Sequence, residues 1–172
     1  MTTKRAEPTS KLMKKFHIIL LSMLVLNMIG MLWWFSDTQI IKRQTKDLAA
    51  SLSMTQSDSP SSRALKHQKL THLLAAKLKC TIEVPGYSHT FNRSELTEAH
   101  LALLNHCKSS SAKASAISIS FENDTTAMVT LSLDLSVIEK SDKTHRETCT
   151  AELTWQEDSE NQWRLIRVSL NK

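Results

Sequence analysis

Twenty consecutive residues, FHIILLSMLVLNMIGMLWWF (16–35), contain no Lys, Arg, Asp or Glu. A helix rises about 1.5 Å per residue, so this run covers about 30 Å, the thickness of a bilayer's hydrocarbon core. Trp33 and Trp34 stand at its end, where indole rings favour the headgroup layer, and Lys14 and Lys15 flank its start. A cleavable signal peptide has a shorter apolar core and a small-residue cleavage site, and neither is present. The run reads as an uncleaved signal anchor. Five basic residues (Lys4, Arg5, Lys11, Lys14, Lys15) precede it and three (Lys42, Arg43, Lys46) follow it closely. That bias places the N-terminus in the cytoplasm and everything after residue 35 outside it, in the periplasm of a Gram-negative cell. Within the span, Asn27 needs a hydrogen-bond partner. It is either tolerated singly or bonds across a helix pair near Gly30, where two backbones can approach.

The net charge of +5 invites a nucleic-acid reading that its distribution removes. Residues 1–59 hold eight Lys/Arg against four Asp/Glu, whereas residues 60–172 hold fourteen against thirteen. A phosphate-neutralising face needs clustered cations and stacking aromatics, and the distal region has neither. No nucleic-acid partner is expected. The expected organisation is a basic tail (1–15), a transmembrane helix (16–35), a polar stalk (36–60) and an extracytoplasmic domain (61–172). Ile41, Leu48 and Leu52 share a helical face in the stalk, too few turns for a coiled coil. SDSPSS then supplies turn and cap residues at the boundary.

The domain opens with an expected helix over 61–79, in which Leu65, Leu70, Leu73, Leu74 and Leu78 form one stripe. CTIEV is extended and Pro85-Gly86 is a turn signal. Asn92, followed three residues later by Glu95, has the form of a capping box that starts a second helix ending near KSSS. The period then changes from helical to two. AISISF, AMVTLSLDLSV and HRETCTAELTW alternate apolar with polar residues, and QWRLIRVSL closes the chain as a fourth strand. Helices followed by consecutive hairpin strands predict an α+β domain, its helices packed on a curved antiparallel sheet. Leu133, Leu135, Trp155 and Trp163 are its expected core supports.

The order of these elements, from about Arg63 to Leu170, resembles the nuclear transport factor 2-like superfamily. The likeness lies in an N-terminal helix, the IEVPGY strand and turn, a helix opening with NRSEL, and the terminal hairpin AELTWQEDSENQWRLIRV. It implies a cone-like half-barrel, a pocket between sheet and helices, and frequent dimerisation through the open sheet. Many relatives carry Gly in the final turn, where EDSENQ has Asp, Ser and Asn. Anchor, stalk and domain together are similar in architecture to the bitopic scaffold subunit of type IV secretion systems.

Some members of that superfamily are isomerases, cyclases or dehydratases with an Asp, Tyr or His inside the cone. Glu83, Tyr87, His89 and Asp134 are the candidates here. Asp134 belongs to the polar side of its strand, and Tyr87 and His89 follow a turn, so CTIEVPGYSHTFNRSEL reads as a connection rather than a catalytic mouth. No cofactor is expected: the chain lacks the P-loop, dinucleotide and G-x-S-x-G patterns. No metal is expected either, because His67 and His72, or His100 and His106, are not spaced for one helical face. Three cysteines permit one disulfide, Cys80–Cys107, with Cys149 as a buried thiol, or else three free thiols. Asn92 and Asn123 begin glycosylation sequons that matter only in a eukaryotic secretory pathway.

The functional expectation is a membrane-anchored, non-enzymatic interaction or assembly module. It has the bilayer as one partner, and a second copy or membrane-complex subunits as the other. The alternatives are a small-molecule binder or isomerase-like enzyme using the cone, and a pilus or secretion component of different α+β topology.

Overall fold

The computed structural model describes residues 20–28, 30–31, 36–84 and 87–171. The chain divides into two compact units, Met1–Ile40 and Ile41–Lys172. In the first, residues 20–28 and 30–31 are helical, and their large apolar side chains are exposed. Among the described residues no helix is long and apolar enough to cross a membrane. Lys14, Lys15, Trp33 and Trp34 lie outside the described residues. Asn27 finds a partner within its own helix, donating from Nδ2 to the Met23 carbonyl at 2.9 Å. A Cβ added at Gly30 would meet nothing within 4 Å.

The second unit begins earlier than the sequence predicts. Residues expected to form a polar stalk make a helix, α1 (Asp37–Leu52), and bury Ile41, Thr45, Ala49 and Ser51. The first three recur every fourth residue, one stripe of a helix. The stripe escapes a hydropathy reading because Thr45 interrupts it, and Ser51, buried beside it in the last turn, is polar as well. After α1 the chain is fastened to the sheet: Met54 and Ser110 exchange backbone hydrogen bonds of 2.8 and 2.9 Å. Ser53 Oγ also accepts from the Ala112 N–H at 2.9 Å.

Helix α2 (Pro60–Leu73) starts with Pro at its first turn and Ser59 as cap, accepting from the Ser62 N–H. It stops at Leu73, six residues before the predicted end, and β1 (Leu74–Val84) follows directly. Leu70, Leu74 and Leu78 are all buried. A spacing of four satisfies both a helix and a strand, so the stripe could not separate them. Strand β2 (Tyr87–Asn92) folds back on β1. Helix α3 (Arg93–His106) opens with the predicted capping box, the Asn92 side chain and Glu95 each bonding the other's backbone N–H.

Strands β3 (Cys107–Asn123), β4 (Thr126–Glu139), β5 (Thr144–Glu157) and β6 (Trp163–Asn171) form a meander. KSSS, expected as the end of a helix, already belongs to β3. Ala116 sits at φ 50° where the β3–β4 register shifts, a bulge in the long edge strand. The six strands are ordered β2-β1-β6-β5-β4-β3. β1 runs parallel to β6, so the sheet is mixed rather than wholly antiparallel. Val129, Leu131, Leu133, Leu153, Trp155, Trp163 and Leu165 are buried, and Leu135 is half-buried. The missing glycine of the last turn is explained by Asn161, which takes φ 56°, while Asp158 Oδ1 accepts from the Glu160 and Gln162 N–H groups. Asn tolerates the left-handed region better than most residues and does the work of Gly there.

Candidate functional site

Two faces of the second unit meet around a cavity of about 310 Å³. Inner-sheet residues Leu131, Leu133, Ala151, Leu153, Leu165 and Val168 form one wall. Helix α1 contributes Thr45, Leu48, Ala49 and Leu52, and α3 contributes Leu96, Ala99, His100 and Leu103. Leu48, Leu52, Leu96 and Leu103 are only half-buried and Ala99 is exposed, so the mouth lies between these two helices. A volume of this size suits a small ligand.

Among the described lining residues, Thr45, Cys80 and His100 carry polar side-chain atoms. Thr45 Oγ1 is buried without a hydrogen-bond partner. The Cys80 thiol is pushed up to about 11 by burial, which keeps it protonated and unreactive at neutral pH. His100 is 3% exposed. Its Nε2 lies 3.1 Å from the Ser51 carbonyl, and its Nδ1 lies 3.2 Å from His67 Nδ1. A carbonyl only accepts, so Nε2 carries the proton, and Nδ1 of the neutral ring accepts from His67. Burial lowers the pKa of His100 below the ordinary histidine value, against the pull of the Ser51 carbonyl, and the charge of His67 lowers it further. Both ring nitrogens are therefore hydrogen-bonded within the protein, and the lowered pKa makes the ring a weak base.

Of the residues considered for catalysis, Glu83, His89 and Asp134 are not among those that line the cavity. Glu83 is exposed near the end of β1. His89 is exposed on β2, edge-on to Phe91 with ring centroids 4.4 Å apart. Asp134 is exposed on β4 and accepts from the Thr148 hydroxyl at 2.7 Å. The backbone of Tyr87 pairs with Val84, and its side chain lies outside the described residues. All three cysteines are free. Cys80 on β1 and Cys107 on β3 are separated by β6, β5 and β4, which rules out the bridge between them. Among the described residues no group of three or more His, Cys, Asp or Glu side chains could hold a metal ion. The His67–His100 pair was missed by spacing rules because its members face each other from two helices, 33 residues apart.

No family model matches the chain, and no curated protein matches it in sequence. Solved structures do. One is a protein provisionally designated a scytalone dehydratase, from Novosphingobium aromaticivorans. Its TM-score is 0.63 at 16% identity, covering 78% of this chain and 82% of that one. The association domain of C. elegans CaMKII matches with TM-score 0.56 at 12% identity, covering 78% and 95%. A nuclear transport factor 2-like superfamily protein from Salmonella enterica matches with TM-score 0.58 at 12% identity, covering 77% and 88%. The mixed sheet, the three helices and the cavity between them thus form a domain of the nuclear transport factor 2-like fold.

Proposed function

We propose that this chain is a membrane-tethered, non-enzymatic binding module whose cone takes a small apolar ligand. One observation carries the reading: the described walls of the cavity are mostly Leu, Ala, Val and Ile, with no carboxylate among the described lining residues and with both ring nitrogens of His100 bonded to the protein. A dehydratase or isomerase needs a positioned acid or base within hydrogen-bond reach of its substrate. Apolar walls with few polar groups instead fit a ligand that is mostly hydrocarbon, and a charged one would be left unpaired. Membrane anchoring through residues 16–35 rests on the unbroken apolar run, and the extracytoplasmic, periplasmic location of the domain rests on the basic residues before it.

The test is photolabelling of the full chain in lipid nanodiscs with a short, neutral alkyl diazirine, followed by peptide mapping. Crosslinks on the inner faces of β4, β5 and β6 are expected, and Ala99→Trp at the mouth sharply lowers them. Labelling that ignores Ala99→Trp, or that spreads over the outer surface, overturns the reading.

A second reading, self-association through the sheet, is favoured by an exposed apolar side chain on its outer face: Met128 on β4, opposite Ser120 of the edge strand β3, is 37% exposed. The likeness to an association domain points the same way. Light scattering on the full chain is expected to show a dimer that Met128→Lys weakens, and a strict monomer excludes it.

A further inference from the structure

Strand β3 is an edge of the sheet, and the segment after α1 covers only its beginning. Met54 pairs with Ser110, and Ser53 Oγ accepts from the Ala112 N–H. From Lys113 to Asn123, among the described residues, no strand lies beside that edge. Two rows of side chains run along this stretch. Ile117, Ile119 and Phe121 share the concave face, where Ile119 and Phe121 stand opposite the buried Val129 and Ala127. The Phe121 ring meets Trp163 edge-on there, with centroids 6.0 Å apart. Even so, Ile117 and Ile119 are only half-buried and Phe121 is 43% exposed. Lys113, Ser115, Ser118, Ser120 and Glu122 are exposed on the other face. One extra residue enters between Ser115 and Ser118, at the bulge of Ala116, so the concave positions change there from even numbers (Ala112, Ala114) to odd ones.

We propose that two copies of this chain join edge to edge through β3, antiparallel, about a twofold axis at Ile119. The proposal rests on the self-association reading and names the surface and register that carry it.

The register follows from sides and charges. A twofold joint uses the same patch on both copies, so the patch must complement itself. With Ile119 facing its own counterpart, Ile117 faces Phe121 of the second copy and Ser118 faces its Ser120. Apolar then meets apolar, and polar meets polar, along residues 117–121. A β-branched residue against an aromatic one is a favourable cross-strand pair. A slip by one residue would turn the second copy over and set its apolar row on the polar side. Beyond residue 121 each strand reaches the bulge of the other. Allowing for the extra residue at Ala116, Glu122 comes beside Ser115 of the second copy, and Asp124 beside its Lys113. Lys113 and Asp124 are exposed and oppositely charged, and the pair recurs at both ends of the joint. Three apolar side chains from each copy form one row, and the two sheets become one. A lysine and a bulge discourage indiscriminate pairing at an edge, and here they mark where the pairing stops.

Cysteine crosslinking of the full chain in lipid vesicles reads the axis. Ile119→Cys is expected to give a disulfide-linked dimer under mild oxidant, because facing residues of an antiparallel pair have Cα atoms about 4.5–5.5 Å apart. The wild type, with its own three thiols, and Thr130→Cys, on the outer face of β4, are expected to stay unlinked. Charge reversal gives a second readout, by light scattering over a dilution series in neutral detergent. Lys113→Asp and Asp124→Lys should each raise the dimer dissociation constant about tenfold, and the doubly swapped chain should return it to within about threefold. Both residues are exposed, so neither change touches the core. No link at Ile119 overturns the joint, and reversals that leave the dimer unchanged overturn its register. If Met128→Lys still weakens that dimer, self-association stands on another surface, whereas a strict monomer removes both ideas.

Discussion

Arg63 reaches 41 residues along the chain to donate from Nη1 to the Leu104 carbonyl, near the end of α3. That carbonyl lies in the last turn, where a helix leaves its acceptors unmatched, and a guanidinium also complements the helix dipole there. Arg63→Ala should therefore cost about 1–2 kcal/mol of stability, read as a lower urea midpoint with an unchanged slope. No loss would mean that water replaces the guanidinium at no cost.

Thr45 predicts a change of opposite sign. Its hydroxyl is buried with no partner, and an unsatisfied buried polar atom destabilises. Thr45→Val, nearly the same shape, is expected to gain about 1 kcal/mol, visible as a higher unfolding temperature. A loss of stability would show that the hydroxyl is bonded in solution.

His100 makes stability depend on pH. Its folded pKa lies below the ordinary value, so the unfolded chain binds more protons across the interval between the two. Stability from this group is complete above about pH 6.5 and is lost as pH falls through the folded value. Urea midpoints should drop from pH 7.5 to 5.5, and His100→Asn should flatten that drop. An unchanged slope in the variant would assign the effect to other groups.

At the last hairpin, Asn161 sits at φ 56°. Asn161→Gly is expected to leave stability within about 0.5 kcal/mol, because Gly adopts this conformation freely. Asn161→Ala should cost about 1 kcal/mol, the strain of a left-handed Cβ. Equal midpoints for the two variants would mean that the turn relaxes to another form.

Local signals carried most of the sheet and one cap. Leu131 and Leu133 on β4, and Leu153 and Trp155 on β5, alternate with polar residues, and the burial follows that alternation. Asn92 and Glu95 are three residues apart, so their reciprocal bonds are written in adjacent sequence. What depended on distant partners was hidden. The burial of Thr45 and Ser51 follows from a sheet whose strands begin much later in the chain, and no hydropathy scale marks them. The parallel pairing of β1 with β6 joins Cys80 to Val168, beyond any turn signal. His67 and His100 become neighbours only when α2 and α3 pack, and the candidate site is therefore legible only in the fold.

That parallel pairing also sets an order of events. Strand β1 has two neighbours in the sheet, the hairpin partner β2 and the final strand β6. The β1–β2 hairpin can form as soon as residue 92 is made, yet a lone two-stranded hairpin is marginally stable in water. It must wait, its other edge unpaired, until Trp163–Asn171 arrives, and pairings so far apart in the chain are slow. During synthesis this chain holds an early strand open for its last one, and losing those nine C-terminal strand residues would strand the hairpin rather than merely shorten the sheet.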